Sequence, residues 1–284
     1  MEPFFNKNGY AIYACPSCGL KATRLPEDYE TFVQKFYNRE YYNGEPSRAA
    51  YTSYRDDKPF IEKNHQKILN HIARYKKNGK LLDVGCAMGY LVKLALGRGY
   101  DAYGFDPSSY AVGEGKRLKL DGRLTTGTIQ GVSYAPGTFD IVTMLDVIEH
   151  VPDPADDIGI AAKLLKASGF LVIATGDTDS FFAGVLRRRW TFYSPPQHLF
   201  FFNRKTLGSI LLSRGFRVIE TFRIGKWVSL QYLLHLARTN GESRIAGGLY
   251  TIVGNLGIGR IPLYMPIMDN MVVIAQKQGG PQRS

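Results

Sequence analysis

The stretch LLDVGCAMGY, residues 81–90, joins two structural patterns across a pair of glycines, Gly85 and Gly89. Residues 80–84 are mostly apolar and short enough for a central strand, and residues 90–98 have the apolar spacing of a helix. Glycines at a strand-to-helix turn let a ligand approach bare backbone and allow a tight turn into the helix. The stretch therefore predicts a ligand-binding turn at the end of a buried strand.

Strand and helix patterns alternate along the rest of the chain. The later strand patterns are at residues 101–106, 124–127, 139–143, 169–175, 216–224 and 271–276, and the later helical patterns are at 110–118, 156–165 and 204–214. Such alternation indicates a parallel sheet with helices on both faces. We therefore predict an α/β fold with a doubly wound, mostly parallel seven-stranded sheet.

Four segments are predicted along the 284 residues. Residues 1–58 form a cysteine knuckle and an irregular, partly helical lead-in, and residues 59–224 form the ligand-binding core. Residues 225–269 form an apolar, glycine-rich insertion with two helices, and residues 270–284 form the last strand and a tail. A chain of this length with 44% apolar residues can bury an ample core.

The chain is basic, with a formal net charge of +11 and a pI near 9.5. This charge favours acidic partners such as nucleic acid, phosphorylated small molecules or anionic lipid surfaces, without choosing among them. No stretch reaches the roughly 18 apolar residues of a membrane span and no signal-peptide pattern is present, so we expect a cytoplasmic protein. The insertion at residues 225–269 either completes the core, lies peripherally on a membrane or forms a homodimer interface.

The second predicted strand ends in YGFDPS, and its acidic residue is Asp106. In a doubly wound sheet the ligand lies beyond the carboxyl ends of the strands, where an acidic residue accepts hydrogen bonds from ribose hydroxyls. The glycine loop reads G-x-x-x-G, whereas a dinucleotide site has the denser pattern G-x-G-x-x-G. Together these features predict a single nucleoside as the ligand.

Five motifs, in order and at the expected spacing, resemble the class I S-adenosylmethionine-dependent methyltransferases, in the small-molecule group with E-H-V after the fourth strand. They are LLDVGCAMGY, YGFDPS, FDIVTMLDVIEHVPDP, LLKASGFLVIATGD and PPQHLFFFNRKTLGSILLSRGF, and they span about residues 80–224. The resemblance implies a Rossmann-like methyltransferase core with S-adenosylmethionine as cofactor. The residues it implies for cofactor binding are Asp83, Gly85, Cys86, Gly89, Asp106, Pro107, Thr128, Ile129, Leu145 and Asp146.

Individual roles follow from the same resemblance. It implies that Asp106 holds the ribose and that Leu145 and Asp146 flank the sulfonium. Many relatives have an aspartate where Thr128 stands, in contact with the adenine amino group. Threonine still accepts a hydrogen bond, so we expect cofactor binding to be weaker without being lost. We expect Cys86, inside the glycine loop, to be a small packing residue.

The acceptor side is predicted from the chemistry of methyl transfer. A sulfonium already carries an activated methyl group, so the enzyme mainly aligns the acceptor and excludes water. A hydroxyl acceptor benefits from a base, and the candidates are His150, after the fourth strand, and His198, in the loop after the fifth. Glu149 and His150 are alternatively a structural hydrogen-bonding pair or partial metal ligands. The arginines Arg187–Arg189 predict an anionic acceptor, unless they form a solvated basic loop.

Cys15 and Cys18, in CPSCGL, resemble one half of a zinc ribbon. A closed zinc site needs four ligands, and the sequence offers only this pair. The alternatives are a decayed knuckle, or a zinc site that a distant residue or a neighbouring chain completes. Three cysteines fit no disulfide framework and suggest a reducing compartment.

The leading functional hypothesis is methyl transfer to oxygen of a small-molecule acceptor, such as a sugar, a lipid-linked or a quinone-like compound. Methylation of RNA or another macromolecule is the alternative that the charge favours. Against a nucleic-acid partner, LDVIEH stands where enzymes that methylate base amines have an N-P-P-Y-type motif. A non-catalytic cofactor-binding scaffold is the third alternative, because Thr128 departs from the pattern.

Overall fold

The computed structural model describes residues 1–25, 27–43, 54–241 and 244–279, so residues 44–53 of the lead-in and 280–284 of the tail lie outside the described residues. The strands are β1 Glu2–Lys7, β2 Tyr10–Ala14, β3 Lys21–Thr23, β4 Gly79–Val84, β5 Tyr100–Asp106, β6 Leu124–Thr126, β7 Phe139–Leu145, β8 Leu165–Gly176, β9 Phe200–Phe201, β10 Phe216–Ser229 and β11 Pro262–Lys277. The helices are α1 Tyr29–Phe36, α2 Arg39–Asn43, α3 Lys58–Ile72, α4 Tyr90–Gly97, α5 Ser109–Gly115, α6 Pro154–Leu164, α7 Phe181–Leu186, α8 Arg204–Ser213, α9 Leu230–Gly241 and α10 Arg244–Asn255.

Seven strands form the main sheet, in the spatial order β10, β11, β8, β7, β4, β5, β6. Strands β4 to β8 run parallel to one another, and β11 is antiparallel to both β8 and β10. The predicted α/β fold with a mostly parallel seven-stranded sheet is therefore confirmed. The chain moves outward from β4 to β6 and returns to β7 on the other side of β4. In such sheets the ligand crevice forms at the carboxyl ends of the strands beside this reversal.

Side chains of β4 alternate between two apolar cores, one on each face of the main sheet. Leu81 packs with residues of α3 and α4, among them Leu69. Leu82 packs with residues of α6 and α8, among them Leu207. All four side chains are fully buried. The strand is covered on both faces, in agreement with its continuous apolar run.

The first residues of the chain form strands where the sequence predicted an irregular lead-in. Strands β1, β2, β3 and β9 make a second, antiparallel four-stranded sheet, in which Ala22 of β3 pairs with Phe200 of β9. Strands β3 and β9 have three and two residues, too few for a recognisable alternation of apolar and polar positions. The sheet ties the N-terminus to the segment that follows β8.

The region between the last two predicted strands extends their hairpin. Strand β10 continues to Ser229 and β11 begins at Pro262, beyond the predicted 216–224 and 271–276. Gly225 lies where the pairing of the two strands is irregular, and in the sequence it resembled a strand end. Helices α9 and α10 form the tip of the hairpin. None of the described helices is long and apolar enough to cross a membrane.

An ion pair between a buried carboxylate and a partly exposed arginine anchors this hairpin to the end of β8. The Asp177 carboxylate is fully buried, and one of its oxygens accepts hydrogen bonds from Arg223 Nε at 2.8 Å and Nη2 at 2.5 Å. The Asp177 N–H donates to the Asp269 carbonyl of β11 at 2.8 Å. Removing one partner of such a pair leaves an uncompensated buried charge, so the pair strongly constrains the hairpin.

We expect Arg223→Met to lower the free energy of unfolding by about 2–4 kcal/mol, because it leaves the Asp177 carboxylate without its cation. Arg74→Met is the matched control, since Arg74 pairs with Glu220 but has a 59% exposed side chain. That surface pair is expected to contribute less than about 1 kcal/mol. Chemical denaturation followed by circular dichroism gives both values, and equal losses in the two variants would contradict the anchoring role.

Candidate active site

A cavity of about 770 Å³ opens at the carboxyl ends of β4, β5 and β7, beside the reversal of strand order. Its volume is within the range of about 300–1,000 Å³ that small-molecule sites occupy. The predicted site residues that line it are Gly85, Asp106, Pro107, Thr128, Ile129, Leu145, Asp146 and His150. The fold thus brings most of the residues chosen from separate motifs to one cavity.

The two glycines of the first turn have different surroundings. Gly85 lines the cavity with a φ of 68°, and a Cβ there would lie 2.5 Å from Val147 Cγ2. Gly89, with a φ of 79°, is the N-cap of α4, and a Cβ there would lie 2.7 Å from methyl groups of Leu120 and Leu124. Both positions therefore favour glycine. Gly85 exposes backbone to the cavity, whereas Gly89 permits the close packing of α4 behind the wall.

The Asp106 carboxylate bridges the turns that follow β4 and β5. Its Oδ2 accepts a hydrogen bond from the Ala87 N–H at 2.8 Å, and its Oδ1 accepts one from the Ser108 N–H at 2.9 Å. The Tyr42 hydroxyl donates to Oδ1 at 3.4 Å. Burial raises the pKa of Asp106 to about 6, against the opposing effect of these donors. The carboxylate is thus ionised at neutral pH and lies on the cavity wall.

Asp83 and Cys86 lie behind the wall rather than on it. Asp83 accepts a hydrogen bond from the Thr143 hydroxyl at 2.6 Å, and burial raises its pKa to about 7. Burial likewise raises the pKa of Cys86, which keeps the thiol protonated. A Cβ at Gly104 would lie 2.7 Å from Cys86 Cβ, so the cysteine packs tightly against β5.

Asp146 follows β7 in an unusual backbone conformation. Its φ is +53°, a left-handed value that strains a residue other than glycine. Its carboxylate accepts a hydrogen bond from Asn270 Nδ2 at 3.0 Å and lies 3.4 Å from Lys226 Nζ. Burial is the largest single effect and lowers the pKa of Lys226, but Asp146, Tyr232 and Asp269 together raise it above its usual value, so the lysine remains charged. The three side chains form a polar cluster on an otherwise largely apolar wall.

His150 presents its imidazole to the cavity. Its Nδ1 lies 2.9 Å from the Gln197 carbonyl oxygen and 2.9 Å from the Tyr37 hydroxyl. Because a carbonyl oxygen only accepts, the contact with Gln197 requires a hydrogen on Nδ1 and leaves a lone pair on Nε2. Burial lowers the pKa of His150 to about 4, so the ring is neutral at neutral pH.

His198 lies behind His150 and does not line the cavity. Its Nδ1 donates to the Phe192 carbonyl at 2.6 Å, and its ring meets that of His150 edge-on, with the centroids 4.7 Å apart. The arginines Arg187–Arg189 are exposed and are not among the described residues that line the cavity. An acceptor in this cavity would therefore not meet the arginines that predicted an anionic group.

Glu149 is an unusual carboxylate because it is fully buried and neither of its oxygens has a hydrogen-bond partner among the described residues. Its ligand atoms and those of His150 and His198 lie within 4.8 Å of one another. Within the described part of the chain, these three residues are the ones whose ligand atoms lie close enough together to hold a metal ion. The geometry is thus compatible with either the base or the metal-ligand alternative for His150.

Aromatic side chains that the motifs did not single out form much of the remaining wall. They are Tyr29, Tyr37, Tyr41, Tyr42, Tyr54, Phe60, Trp227 and Tyr232. Burial raises the pKa of Tyr37 and Tyr41, which keeps both hydroxyls protonated. Tyr41 also accepts a hydrogen bond from Gln197 Nε2 at 2.9 Å. For the tyrosines before residue 58, the only sequence signal was their abundance in a segment without helical or strand periodicity.

Cys15 and Cys18 lie in the turn between β2 and β3, away from the cavity wall. The Gly19 N–H donates to the Cys15 carbonyl at 2.9 Å, which closes the turn. Hydrogen bonds from the Ser17 hydroxyl, 3.1 Å from Cys15 Sγ, and from the backbone of Cys18 and Ser17 lower the pKa of Cys15 to about 6. Among the described residues, no group of three potential metal ligands includes either cysteine. The predicted zinc site therefore gains no support.

Comparison with known proteins extends these observations. Residues 51–221 match the protein family described as Methyltransferase domain. The ubiquinone biosynthesis O-methyltransferase of Burkholderia multivorans is 36% identical to the chain over 101 residues, and that of Thiobacillus denitrificans is 36% identical over 103 residues. Each match covers 34% of this chain and 44% of the relative, so it spans less than half of either protein.

Solved structures resemble the chain over a greater length. The magnesium protoporphyrin IX methyltransferase of Synechocystis, with bound S-adenosylhomocysteine, has a TM-score of 0.57 at 15% identity and covers 88% of this chain and 100% of its own. The 1,6-didemethyltoxoflavin-N1-methyltransferase of Burkholderia thailandensis has a TM-score of 0.54 at 15% identity. The match covers 98% of this chain and 100% of that protein. At such identities the likeness shows a shared fold.

Proposed function

Because the chain belongs to the class I S-adenosylmethionine-dependent methyltransferases, we propose that it methylates a hydroxyl oxygen of a small quinone-like or lipid-linked acceptor. The observation that carries the proposal is His150, which lines a cavity walled by aromatic rings and whose Nδ1 contact with the Gln197 carbonyl leaves a lone pair on Nε2. Such walls favour a ring-bearing, apolar acceptor over a sugar, which needs more polar partners. The named relatives, O-methyltransferases of ubiquinone biosynthesis, agree with this class over the third of the chain that they match.

The cofactor is proposed to lie along the carboxyl ends of β4, β5 and β7. Asp106 would accept hydrogen bonds from the ribose hydroxyls, the Thr128 side chain would meet the adenine, and the backbone of Gly85 would meet the methionine part. When bound, S-adenosylmethionine supplies an activated methyl group on a positively charged sulfur. The Asp146 carboxylate, held by Asn270, provides a negative charge on the same wall.

His150 is the proposed general base. The Gln197 carbonyl holds its ring with hydrogen on Nδ1, so Nε2 can take the proton of an acceptor hydroxyl as the oxygen attacks the methyl group. A low pKa keeps the imidazole neutral and ready at physiological pH. A phenolic or enolic hydroxyl suits so weak a base, because its proton is more acidic than that of an alcohol. His198 then acts as a positioning residue for the His150 ring.

We expect Asp106→Ala to raise the Kd for S-adenosylhomocysteine about 10- to 150-fold, the effect of losing hydrogen bonds to a charged group. Asp101→Ala is the matched control, because Asp101 lies near the start of the same strand, pairs with Arg123 and is outside the cavity wall. Asp106→Asn keeps one carbonyl acceptor, so its Kd is expected to lie between those of Asp106→Ala and Asp101→Ala. Titration calorimetry measures all three variants, and an unchanged Kd in Asp106→Ala would remove the ribose assignment.

The affinity for S-adenosylhomocysteine is expected to depend on pH through Asp106. Its pKa is about 6, so the ionised acceptor predominates above that pH and the affinity is constant there. As the pH falls below 6, the carboxyl protonates and the affinity weakens, by up to about tenfold per pH unit. The measurement is calorimetry between about pH 5 and pH 8. An affinity that rises on acidification would contradict the assignment. So would a pH dependence of the affinity that persists in Asp106→Asn.

We expect His150→Gln to lower turnover about 10²- to 10⁴-fold with little change in S-adenosylhomocysteine affinity, because it removes the base and keeps the size of the side chain. His71→Gln is the control, since His71 stacks on Phe222 outside the cavity wall. Turnover is measured with labelled S-adenosylmethionine and a panel of catechols and hydroxybenzoquinones.

A chelator distinguishes the base from a metal ligand in the same assay. Turnover of the unmodified enzyme should survive dialysis against chelator if His150 acts as a base. Loss of turnover that an added divalent metal ion restores would instead favour the group formed by Glu149, His150 and His198 as a metal site, and would remove the base from the proposal.

A further inference from the structure

The tip of the β10–β11 hairpin has an exposed apolar face. Large apolar side chains at helical spacing along α10, and in the turn after it, form what we name the apolar platform: Ile245, Leu249, Ile252, Leu256, Ile258 and Ile261. Ile245 is 78% exposed, Leu256 66% and Ile252 54%. Exposed apolar side chains clustered in this way mark a site of interaction, whereas single ones are ordinary on a surface.

A second exposed apolar element packs against the same hairpin. Helix α7 contacts β11, and its Phe181, Val185 and Leu186 are 74%, 61% and 40% exposed. The exposed arginines Arg187–Arg189 follow directly. This segment contributes no residue to the described cavity wall, so methyl transfer gives it no role.

The charged side chains in and around the apolar platform and α7 are positive. The sequence has no aspartate or glutamate at residues 180–202 or 243–268, and the charged side chains there are all arginines. Arg260 pairs with Asp56 at 2.6 Å, whereas no ion pair of Arg187–Arg189 is found within the described part of the chain. The hairpin thus carries one exposed apolar element at its tip and contacts a second, α7, which is followed by three guanidinium groups with no carboxylate partner among the described residues.

We propose that the apolar platform and α7 dock the protein on the surface of an anionic lipid bilayer. Apolar side chains enter the boundary between headgroups and acyl chains, and the arginines pair with lipid phosphates. The purpose of this docking rests on the proposed function, the methylation of a lipid-linked acceptor. The hairpin that carries the platform also carries Trp227 and Tyr232 of the cavity wall, so docking would bring the cavity near the membrane in which a lipid-linked acceptor resides.

A second copy of the chain fits this surface less well than a lipid does. A symmetric contact places the same surface on both subunits. It would therefore bring two arginine-bearing faces together, with no carboxylate from residues 180–202 or 243–268 to pair with them. Anionic headgroups supply the missing negative charge.

Vesicle flotation tests the proposal with the full chain. We expect binding to vesicles that contain about 30% phosphatidylglycerol in phosphatidylcholine, and binding at least about fivefold weaker to pure phosphatidylcholine. Replacing both Ile252 and Leu256 by Glu should lower the partition coefficient at least about tenfold. Replacing Arg187–Arg189 by Gln should remove the preference for anionic vesicles.

Leu212→Glu is the matched control, because Leu212 on α8 is 66% exposed, like Leu256, but lies outside both elements. It should bind vesicles as the unmodified protein does. Vesicle binding that the Ile252→Glu/Leu256→Glu variant retains would overturn the proposal, as would a dimer in solution that this variant dissociates. Calorimetry with S-adenosylhomocysteine on the same samples separates the two proposals, since a failure of cofactor binding would leave the vesicle result intact.

Discussion

The Asp106 carboxylate holds together the two turns from which the cavity is built. It accepts hydrogen bonds from the Ala87 N–H, in the glycine turn after β4, and from the Ser108 N–H, at the start of α5. Ionising a carboxyl group that is 5% exposed is costly, and the two amides offset part of that cost. The pKa of Asp106 consequently rises only to about 6, which leaves an ionised acceptor where the glycine turn exposes the backbone of Gly85.

The proposed acceptor side depends on contacts between distant parts of the chain. The Leu199 and Phe200 N–H groups donate to the carbonyl of Glu149, so the segment that ends in β9 is held against the loop carrying His150. Gln197 of this segment bonds to the imidazole, and β9 pairs with β3 of the N-terminal sheet. The N-terminal segment is therefore a frame for the imidazole as well as the source of the tyrosines that enclose the cavity.

The sequence predicted the parts of the molecule whose signals are local. The glycine turn at Gly85 and the acidic strand end at Asp106 each lie within a short motif, and the alternation of strands and helices determined the class of sheet. The position of a loop side chain depends instead on what packs against it. His198 shares a loop with Arg187–Arg189 and was expected in the cavity, yet it lies behind His150. The pairing of β3 with β9, and the irregular strand at Gly225, likewise follow from long-range contacts that periodicity does not encode.

The arrangement of cofactor and base is tested most directly by a crystal structure with bound S-adenosylhomocysteine. The ribose hydroxyls should lie within hydrogen-bonding distance of the Asp106 carboxylate, and the sulfur should face the open part of the cavity toward His150 Nε2. A nucleoside bound with its ribose away from Asp106, or a sulfur separated from His150 by the tyrosine wall, would contradict the proposed site.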